Sequence, residues 1–181
     1  MDDKHVVAIT GVIVKDGKYL ITKRSLDKKA FPGKWTVPGG RLEVVDYINT
    51  EKDTGDHWYN VLEKVLRREV KEEVGLEIGN IRYLASMTFM RGDDPALIVS
   101  LFADHVSGEV VLDEESIDYR WVDLEEARSC DLIEGIYEEL EMLDELLRGE
   151  KIGEWKRKQD EQEVEMIGVD RFEIKNGFER Y

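Results

Sequence analysis

The segment Arg68-Glu-Val-Lys-Glu-Glu-Val-Gly-Leu76 concentrates three glutamates in a stretch with helical periodicity. At about 100° per residue, residues 58–74 place Glu69, Glu72 and Glu73 on the same side as an apolar stripe. Residues three and four positions apart are neighbours on a helix, so the three carboxylates repel one another and lose hydration. A bound hard cation resolves this conflict, because magnesium takes oxygen ligands and keeps positions for water and phosphate. The segment therefore predicts a metal site.

Paired glycines lie upstream of this helix. Gly39 and Gly40 follow Pro38 directly, so the chain turns there and brings backbone without a side chain close to a ligand. At the other end, Gly75 occupies the usual position of a helix C-terminal cap. The glycine turn and the glutamate helix are thus expected to form one site.

Gly39-Gly40 and residues 68–76 together resemble the box of the Nudix hydrolase family, in which a Gly and a spacer precede Arg-Glu-aliphatic-x-Glu-Glu-x-Gly-aliphatic. The second half matches at every specified position, and the resemblance extends from about residue 6 to about residue 147. It implies an α/β fold, the Nudix-type α/β/α sandwich with a mixed β-sheet. It also implies Mg²⁺, with Mn²⁺ as a substitute, and cleavage of a nucleoside diphosphate linked to another moiety X. The products are then a nucleoside monophosphate and phosphorylated X.

The resemblance assigns metal-binding roles residue by residue. Glu69, Glu72 and Glu73 are expected to hold the metal, with the backbone carbonyl of Gly39 as a further ligand. Arg68 is expected to orient Glu69 through a charge-assisted hydrogen bond.

A general base is expected in the loop ahead of the strand that contains Trp121. Glu115 is the first candidate for that role and Glu114 the second. Solvated loop charge is the alternative for both.

Substrate contacts are predicted at five further positions. Lys23 and Arg24 leave a strand near the glycine turn and are candidates for binding phosphates, while Trp35 offers a stacking face for a base. Gly40 presents backbone, and Arg91 lies in a hairpin turn from which it reaches the second moiety. Surface charge or core packing is the structural alternative for each side chain.

The first half of the box departs from the family pattern. The usual supporting Glu, eight residues before the Arg, is replaced by Asn60, and the spacer from Gly40 to Arg68 is longer than usual. We expect an insertion at about residues 44–57 that forms a loop leading into a lengthened helix. Asn60, Glu63 and Glu43 all remain candidates to substitute for the missing Glu.

Composition restricts the partners. The chain has 181 residues, a net charge of −15, 41% hydrophobic and 37% charged residues. Such acidity disfavours nucleic-acid polymers and anionic membranes but not small nucleotides, which local cations and a metal neutralise. A single cysteine, Cys130, forms no internal disulfide, and no apolar run approaches a membrane span. We expect a cytoplasmic enzyme with a nucleotide substrate, with a homodimer as an option.

The order of predicted elements indicates one domain over residues 1–148 and a charged extension over 149–181, either packed or flexible. Alternating or β-branched runs predict strands at 5–14, 19–23, 35–37, 81–90, 96–103, 109–112 and 119–122. Helical spacing predicts helices at 58–74 and 133–147. A short strand or hairpin is also expected within 164–181.

Two alternative functions come from other classes. A nucleotide-sensing module on the same fold generally loses box glutamates, whereas this chain keeps Glu69, Glu72 and Glu73. An isopentenyl diphosphate isomerase resembles this chain at residues 23–25 and 31–36. That isomerase needs a reactive cysteine just after the tryptophan strand, and Cys130 lies far from there in the sequence.

Overall fold

The computed structural model describes residues 4–151 and Trp155, and a mixed seven-stranded β-sheet lies at the centre of this part of the chain. The strands are β1 (Val6–Lys15), β2 (Lys18–Arg24), β3 (Trp35–Thr36), β4 (Gly39–Arg41), β5 (Glu77–Arg91), β6 (Asp94–Ser107) and β7 (Ser116–Val122). The helices are α1 (Val45–Ile48), α2 (Val61–Val74), α3 (Leu124–Arg128) and α4 (Ile136–Leu147). None of these helices is long and apolar enough to cross a membrane.

The sheet has the strand order β3-β2-β1-β6-β5, with β4 paired to β1 and β7 paired to β2. Strands β1 and β6 are parallel, and the other pairs are antiparallel. One edge of β1 is shared, because β2 pairs at Val14 while β4 pairs around Ile9. The Gly11 N–H donates to the Pro38 carbonyl between these two regions. This split edge holds Gly39 and Gly40 beside the middle of the sheet.

Alternate residues of β1 face opposite helices. Ile9 and Ile13 belong to the buried cluster that contains the α2 residues Leu66, Val70 and Val74. Between them, Thr10 contacts the Ser100 hydroxyl, which in turn donates to Glu139 of α4. The two long helices therefore cover opposite faces of the sheet. The predicted α/β/α sandwich with a mixed sheet is confirmed.

Several predicted boundaries differ from the structure. Helix α2 is not lengthened: it begins at Val61, because Asn60 adopts a left-handed conformation with φ 54° that a helix cannot contain. The strand predicted at 109–112 is wrong, since this stretch is irregular and the Val111 and Asp113 N–H groups donate to the last carbonyls of α2. Strand β4 and helices α1 and α3 were not anticipated. The strand or hairpin expected within 164–181 lies outside the described residues, and the domain boundary near 148 stays a prediction.

Glu139 is a buried acid on the α4 face of the sheet. The residue is 3% exposed, Ser100 donates to Oε1 at 2.7 Å, and Oε2 has no hydrogen-bond partner within residues 4–151 and Trp155. Burial raises the pKa of Glu139 to about 7 from an ordinary value of 4.5. A charged carboxylate at this position is therefore unfavourable in the native state.

We expect Glu139→Gln to flatten the pH dependence of stability. The folded pKa lies above the unfolded one, so the native state binds the extra proton, and this contribution to stability is full below pH 4.5 and disappears as the pH rises through about 7. The variant should therefore gain up to about 3 kcal/mol relative to the parent between pH 4.5 and pH 8. Urea unfolding at both pH values measures the difference. Equal slopes in parent and variant would contradict the assignment of the titrating group.

Candidate active site

Helix α2 positions the glutamates through its buried apolar side. Val65, Leu66, Val70 and Val74 are buried against the sheet, and Gly75 ends the helix with φ 72° and an N–H bond to the Lys71 carbonyl. Such a left-handed C-terminal position suits glycine, which has no Cβ to clash. The helix is therefore fixed in rotation and length, and its flank carries the acidic side chains.

The three glutamates do not share one environment. The Glu69 side chain is 14% exposed, and Glu73 is partly buried beside Gly39. Glu72, in contrast, is 60% exposed and points to solvent. The expectation that all three lie on the inward side is therefore wrong for Glu72, because the buried stripe runs through Leu66, Val70 and Val74 and Glu72 lies away from it.

The expected turn at Gly39 and Gly40 is wrong, because both glycines pair with β1 as part of β4, and this strand packs directly on these acids. The Gly39 N–H donates to Glu73 Oε2 at 3.1 Å. A Cβ on Gly40 would stand 1.9 Å from Glu69 Oε1, and one on Gly39 would stand 2.3 Å from the Ile9 carbonyl oxygen. A side chain at Gly39 would therefore clash with backbone, and one at Gly40 would displace the Glu69 carboxylate. Strand β4 therefore lies against the flank of α2 that carries Glu69 and Glu73.

Arg68 binds three carboxylates at once. Its Nε lies 2.9 Å from Asp46, Nη2 lies 2.9 Å from Glu69 and Nη1 lies 3.0 Å from Glu72. Burial opposes the charge of Arg68, but Glu69, Asp46 and Glu72 outweigh it and raise the pKa of the guanidinium. The predicted contact between Arg68 and Glu69 is therefore present, and Arg68 also links the helix to the segment that follows β4.

Asp46 is the partner that the sequence analysis missed. It lies in α1, its side chain is 6% exposed, and its other oxygen accepts the Glu43 N–H at 2.8 Å. Asp46 is six residues after Gly40, the spacing of the usual supporting Glu, but counting back from Arg68 leads to Asn60 instead. Counted from the glycine, Asp46 therefore stands where the usual pattern has its supporting Glu. Counting forward from the glycine would have identified it.

The inserted segment closes on itself between Asp46 and α2. The rings of Tyr47 and Trp58 lie 5.3 Å apart, and Trp58 Nε1 donates to the Thr50 carbonyl. Asp53 accepts the Tyr59 N–H at 2.9 Å and lies 3.7 Å from the Lys64 ammonium on α2. Because its two ends are held together, the insertion leaves Asp46 and Arg68 in contact.

Glu69 and Glu73, the acids beside Gly39 and Gly40, have pKa values above those of ordinary glutamates. Burial raises the pKa of Glu73 to about 8; the Gly39 N–H opposes this shift, while Glu69, Asp113 and Glu115 add to it. Burial also raises the pKa of Glu69, with Arg68 opposing. Strongly perturbed acids in one place are typical of functional sites. A positive charge brought among them would lower their pKa values and hold them ionised.

Glu115 belongs to the same acidic group. The Asp113 N–H donates to the Glu73 carbonyl at 3.1 Å, and the Glu115 N–H donates to the Asp113 side chain at 2.8 Å. The loop before β7 is therefore fixed to the end of α2. The Glu115 side chain forms an ion pair with Lys28. Glu115, the first candidate for the general base, is therefore close enough for its charge to raise the pKa of Glu73.

Lys23 and Trp35 do not lie next to the glutamates. Along β2, Leu20 joins the α2 cluster and Tyr19 bonds to Asp144 of α4, so alternation directs Lys23 to the α4 face. Trp35 is 5% exposed, and its ring contacts the Lys23 ammonium at 5.8 Å and a second cation, the Arg120 guanidinium, at 4.7 Å. The indole is covered and does not offer an open face for a base.

Arg24 and Arg91 also do not contact the glutamates: Arg24 is bonded within its own loop, and Arg91 lies far from them. Arg24 Nε donates to the Ala30 carbonyl at 3.0 Å and so braces the loop after β2. Arg91 ends β5 at the hairpin tip and pairs with Asp94. Asp94 is five residues along β6 from Val99, the partner of Ile9 beside Gly40, a run of roughly 17 Å at strand rise. Of the five predicted substrate contacts, Gly40 is the one that the structure places against the glutamates.

The donor set suits a hard divalent cation. Within residues 4–151 and Trp155, no three acidic, histidine or cysteine side chains already converge on one point, and Arg68 occupies the space between Glu69 and Glu72. Glu72 must release Arg68 to join the other two as a ligand. The chemistry nevertheless fits, since carboxylate and carbonyl oxygens are the ligands of Mg²⁺ and a Cβ-free cradle adjoins Glu69.

The fold and this site define a hydrolase class in which acids on one helix face a pair of glycines in a neighbouring strand. The family model for the NUDIX domain matches residues 4–146, and the chain belongs to the Nudix family. It is 31% identical over 134 residues to the nucleoside triphosphatase NudI of Klebsiella pneumoniae (strain 342), covering 67% of this chain and 84% of the relative. It is therefore a nucleotide pyrophosphohydrolase, and members of the family use divalent metal ions.

Solved structures agree on the fold. The MutT protein of Methanosarcina mazei Go1 superposes with a TM-score of 0.61 at 22% identity, covering 82% of this chain and 99% of that one. The NUDIX domain of Shewanella oneidensis NrtR, solved with ADP ribose, gives a TM-score of 0.63 at 18% identity, covering 80% of this chain and 90% of that one.

We expect Asp46→Asn to slow nucleotide hydrolysis by about tenfold, within the range seen when groups behind metal ligands are changed. Asparagine keeps the shape but removes the charge that orients Arg68, so Arg68 and Glu69 lose their fixed geometry. Asp56→Asn is the matched control, since Asp56 lies in the same insertion with its side chain 88% exposed. Steady-state rates and thermal midpoints of both variants measure the effect. Equal rates would show that Asp46 has no supporting role.

Proposed function

We propose that this protein is a magnesium-dependent hydrolase of small nucleotides in which a nucleoside diphosphate is linked to another moiety X. The products are a nucleoside monophosphate and phosphorylated X, and X is a phosphate, as in normal or oxidised nucleoside triphosphates, or a sugar. The observation that carries the proposal is the contact of Gly39 and Gly40 with Glu73 and Glu69. A phosphoanhydride is shielded by its own negative charge, so an acidic site can approach it only with a cation between them.

Glu69, Glu72 and Glu73 would hold the metal, with the Gly39 carbonyl as a further ligand. The metal, when bound, supplies charge neutralisation of the pyrophosphate and acidifies a water molecule. Side chains and backbone of the protein orient the metal ligands and admit the substrate. Arg68 fixes Glu69, Asp46 fixes Arg68, and the bare backbone of Gly40 lets the substrate approach closely.

Glu115 is the proposed general base. Its loop is bonded to the end of α2, and its charge adds to the raised pKa of Glu73. A carboxylate within hydrogen-bond reach of the attacking water accepts its proton as the oxygen attacks phosphorus. Mutation of Glu115 should therefore lower turnover without removing metal ligands.

A substrate panel with magnesium tests the proposal. It contains the nucleoside triphosphates, 8-oxo-dGTP, ADP-ribose, other sugar nucleotides and dinucleoside polyphosphates, and the readout is release of monophosphate or pyrophosphate. The expected result is turnover of at least one compound that stops with EDTA and returns with Mg²⁺ or Mn²⁺. Metal-dependent binding across the panel with no turnover would replace hydrolysis with nucleotide sensing. The 31% identical relative, a nucleoside triphosphatase, makes the triphosphates the first compounds to assay.

A further inference from the structure

The loop after β2 contacts the loop before β7 beside the proposed active site. The Ser25 N–H donates to the Glu115 carbonyl at 2.8 Å, and the Lys28 N–H donates to the Ser25 carbonyl at 3.2 Å. The Lys28 ammonium forms an ion pair with the Glu115 carboxylate. The loop after β2 is therefore joined to Glu115 twice, by the backbone of Ser25 and by the side chain of Lys28.

The loop that carries Lys28 is itself braced. Arg24 Nε donates to the Ala30 carbonyl at 3.0 Å, and the Gly33 N–H donates to the Arg24 carbonyl at 3.2 Å. The Lys28 side chain is 27% exposed, against 48% for Glu115. A cation held on a braced loop is a firmer point of attachment than one on a free surface chain, because less side-chain freedom is lost on pairing.

Glu115 benefits from such an attachment because acidic side chains lie near it. Glu73 and Asp113 are acidic, and Glu115 and Glu73 interact unfavourably across the site. With several rotatable bonds and no cation beside it, a half-exposed glutamate turns away from like charges towards solvent. A general base that points to solvent is out of reach of its proton.

We propose that Lys28 is a positioning residue that holds the Glu115 carboxylate over the acidic site. This inference rests on the proposed function, in which Glu115 receives a proton from the attacking water. Lys28 does not itself transfer the proton. Its charge keeps Glu115 oriented in the substrate-free enzyme and through each turnover.

The test compares Lys28→Ala, Lys28→Arg and the control Lys29→Ala in the full-length chain, with the panel compound that the parent hydrolyses fastest. Lys29 is the adjacent lysine and is exposed. We expect Lys28→Ala to lower kcat about tenfold with KM within twofold of the parent, Lys28→Arg to recover most of kcat, and Lys29→Ala to match the parent. A raised KM with unchanged kcat would overturn the proposal in favour of direct phosphate binding.

A double-mutant cycle with Glu115→Gln isolates the contact. If Lys28 acts through Glu115, Lys28→Ala has no further effect on kcat once Glu115 is Gln. Additive losses would overturn the proposal, as would a Glu115→Gln variant as fast as the parent. Thermal midpoints of all variants separate positioning from a fold defect, and Lys28→Arg carries the test if Lys28→Ala does not fold. Turnover by the parent with a fully active Lys28→Ala would reject this inference alone, whereas no turnover by the parent on any compound would reject the proposed function and this inference with it.

Discussion

Glu73→Gln is expected to reduce kcat by about a thousandfold, equivalent to about 4 kcal/mol of transition-state stabilisation. Glu73 accepts a hydrogen bond of 3.1 Å from the Gly39 N–H, where β4 packs against α2. Glutamine keeps the volume but cannot carry the charge that a divalent cation needs from its ligand. Because the ligand set is small, loss of one carboxylate weakens metal binding and misplaces whatever metal still binds.

The metal-free protein should respond in the opposite direction. Burial raises the pKa of Glu73 to about 8, so ionising it in the native state is unfavourable and Gln removes that cost. We expect an unfolding free energy equal to or above that of the parent in EDTA, with an advantage that grows as the pH rises from 4.5 to about 8 and stays constant above that. Kinetics with Mg²⁺ and chemical unfolding in EDTA measure the two effects separately.

Glu77→Gln is the control for this substitution. Glu77 lies at the start of β5, is 56% exposed and pairs with Lys71 away from β4. It should hydrolyse nucleotide at the parental rate. If Glu73→Gln also kept that rate, the assignment of Glu73 as a metal ligand would fail, whatever its effect on stability.

Sequence patterns predicted the sheet better than its connections. Strands β1 and β2 have β-branched residues and a Gly turn between them, and both were found within a residue or two of their bounds. Residues 109–112 also contain β-branched residues, yet the Val111 N–H donates to a carbonyl of α2 instead of to a strand. Strand β4 has no side-chain pattern at all, because Gly39 and Gly40 are held by their register with β1. Pairing partners of this kind are long-range and cannot be read locally.

The site residues also differ in how well the sequence predicts them, because some are grouped by local spacing and others by long-range contacts. Arg68 and the glutamates form a fixed local spacing, so their grouping was predictable. Asp46 was hidden because the insertion separates it from Arg68, and Lys28 because its partner Glu115 lies far along the chain. Lys23 was expected near the glycines because it ends the second predicted strand, but the alternation of β2 directs it to the other face. The spacing of residues can be read from the sequence, but the face of the sheet to which a side chain points is known only once the strands are paired.

Gly40→Ala is expected to cost at least a hundredfold in turnover while leaving the fold in place. The new methyl would stand 1.9 Å from Glu69 Oε1 and 2.1 Å from its carboxyl carbon, so Glu69 must rotate out of its position. The clash is with the end of a flexible side chain, not with backbone, which is why folding survives. Rotation of Glu69 also breaks its 2.9 Å contact with Arg68. Two elements of the site are thus displaced by one methyl group.

Gly55→Ala supplies the matched control, because no atom of the described part of the chain lies within 4 Å of the added Cβ. It should keep parental turnover. The comparison is made by kcat and KM with Mg²⁺, by thermal midpoint, and by Mn²⁺ binding followed by electron paramagnetic resonance, which reports metal affinity without turnover. We expect Gly40→Ala to weaken Mn²⁺ binding while its midpoint stays within about 2 °C of the parent, a shift of under 1 kcal/mol for a domain of this size. Unchanged Mn²⁺ affinity and unchanged kcat would contradict the assignment of Glu69 as a metal ligand in the position that it has beside Gly40.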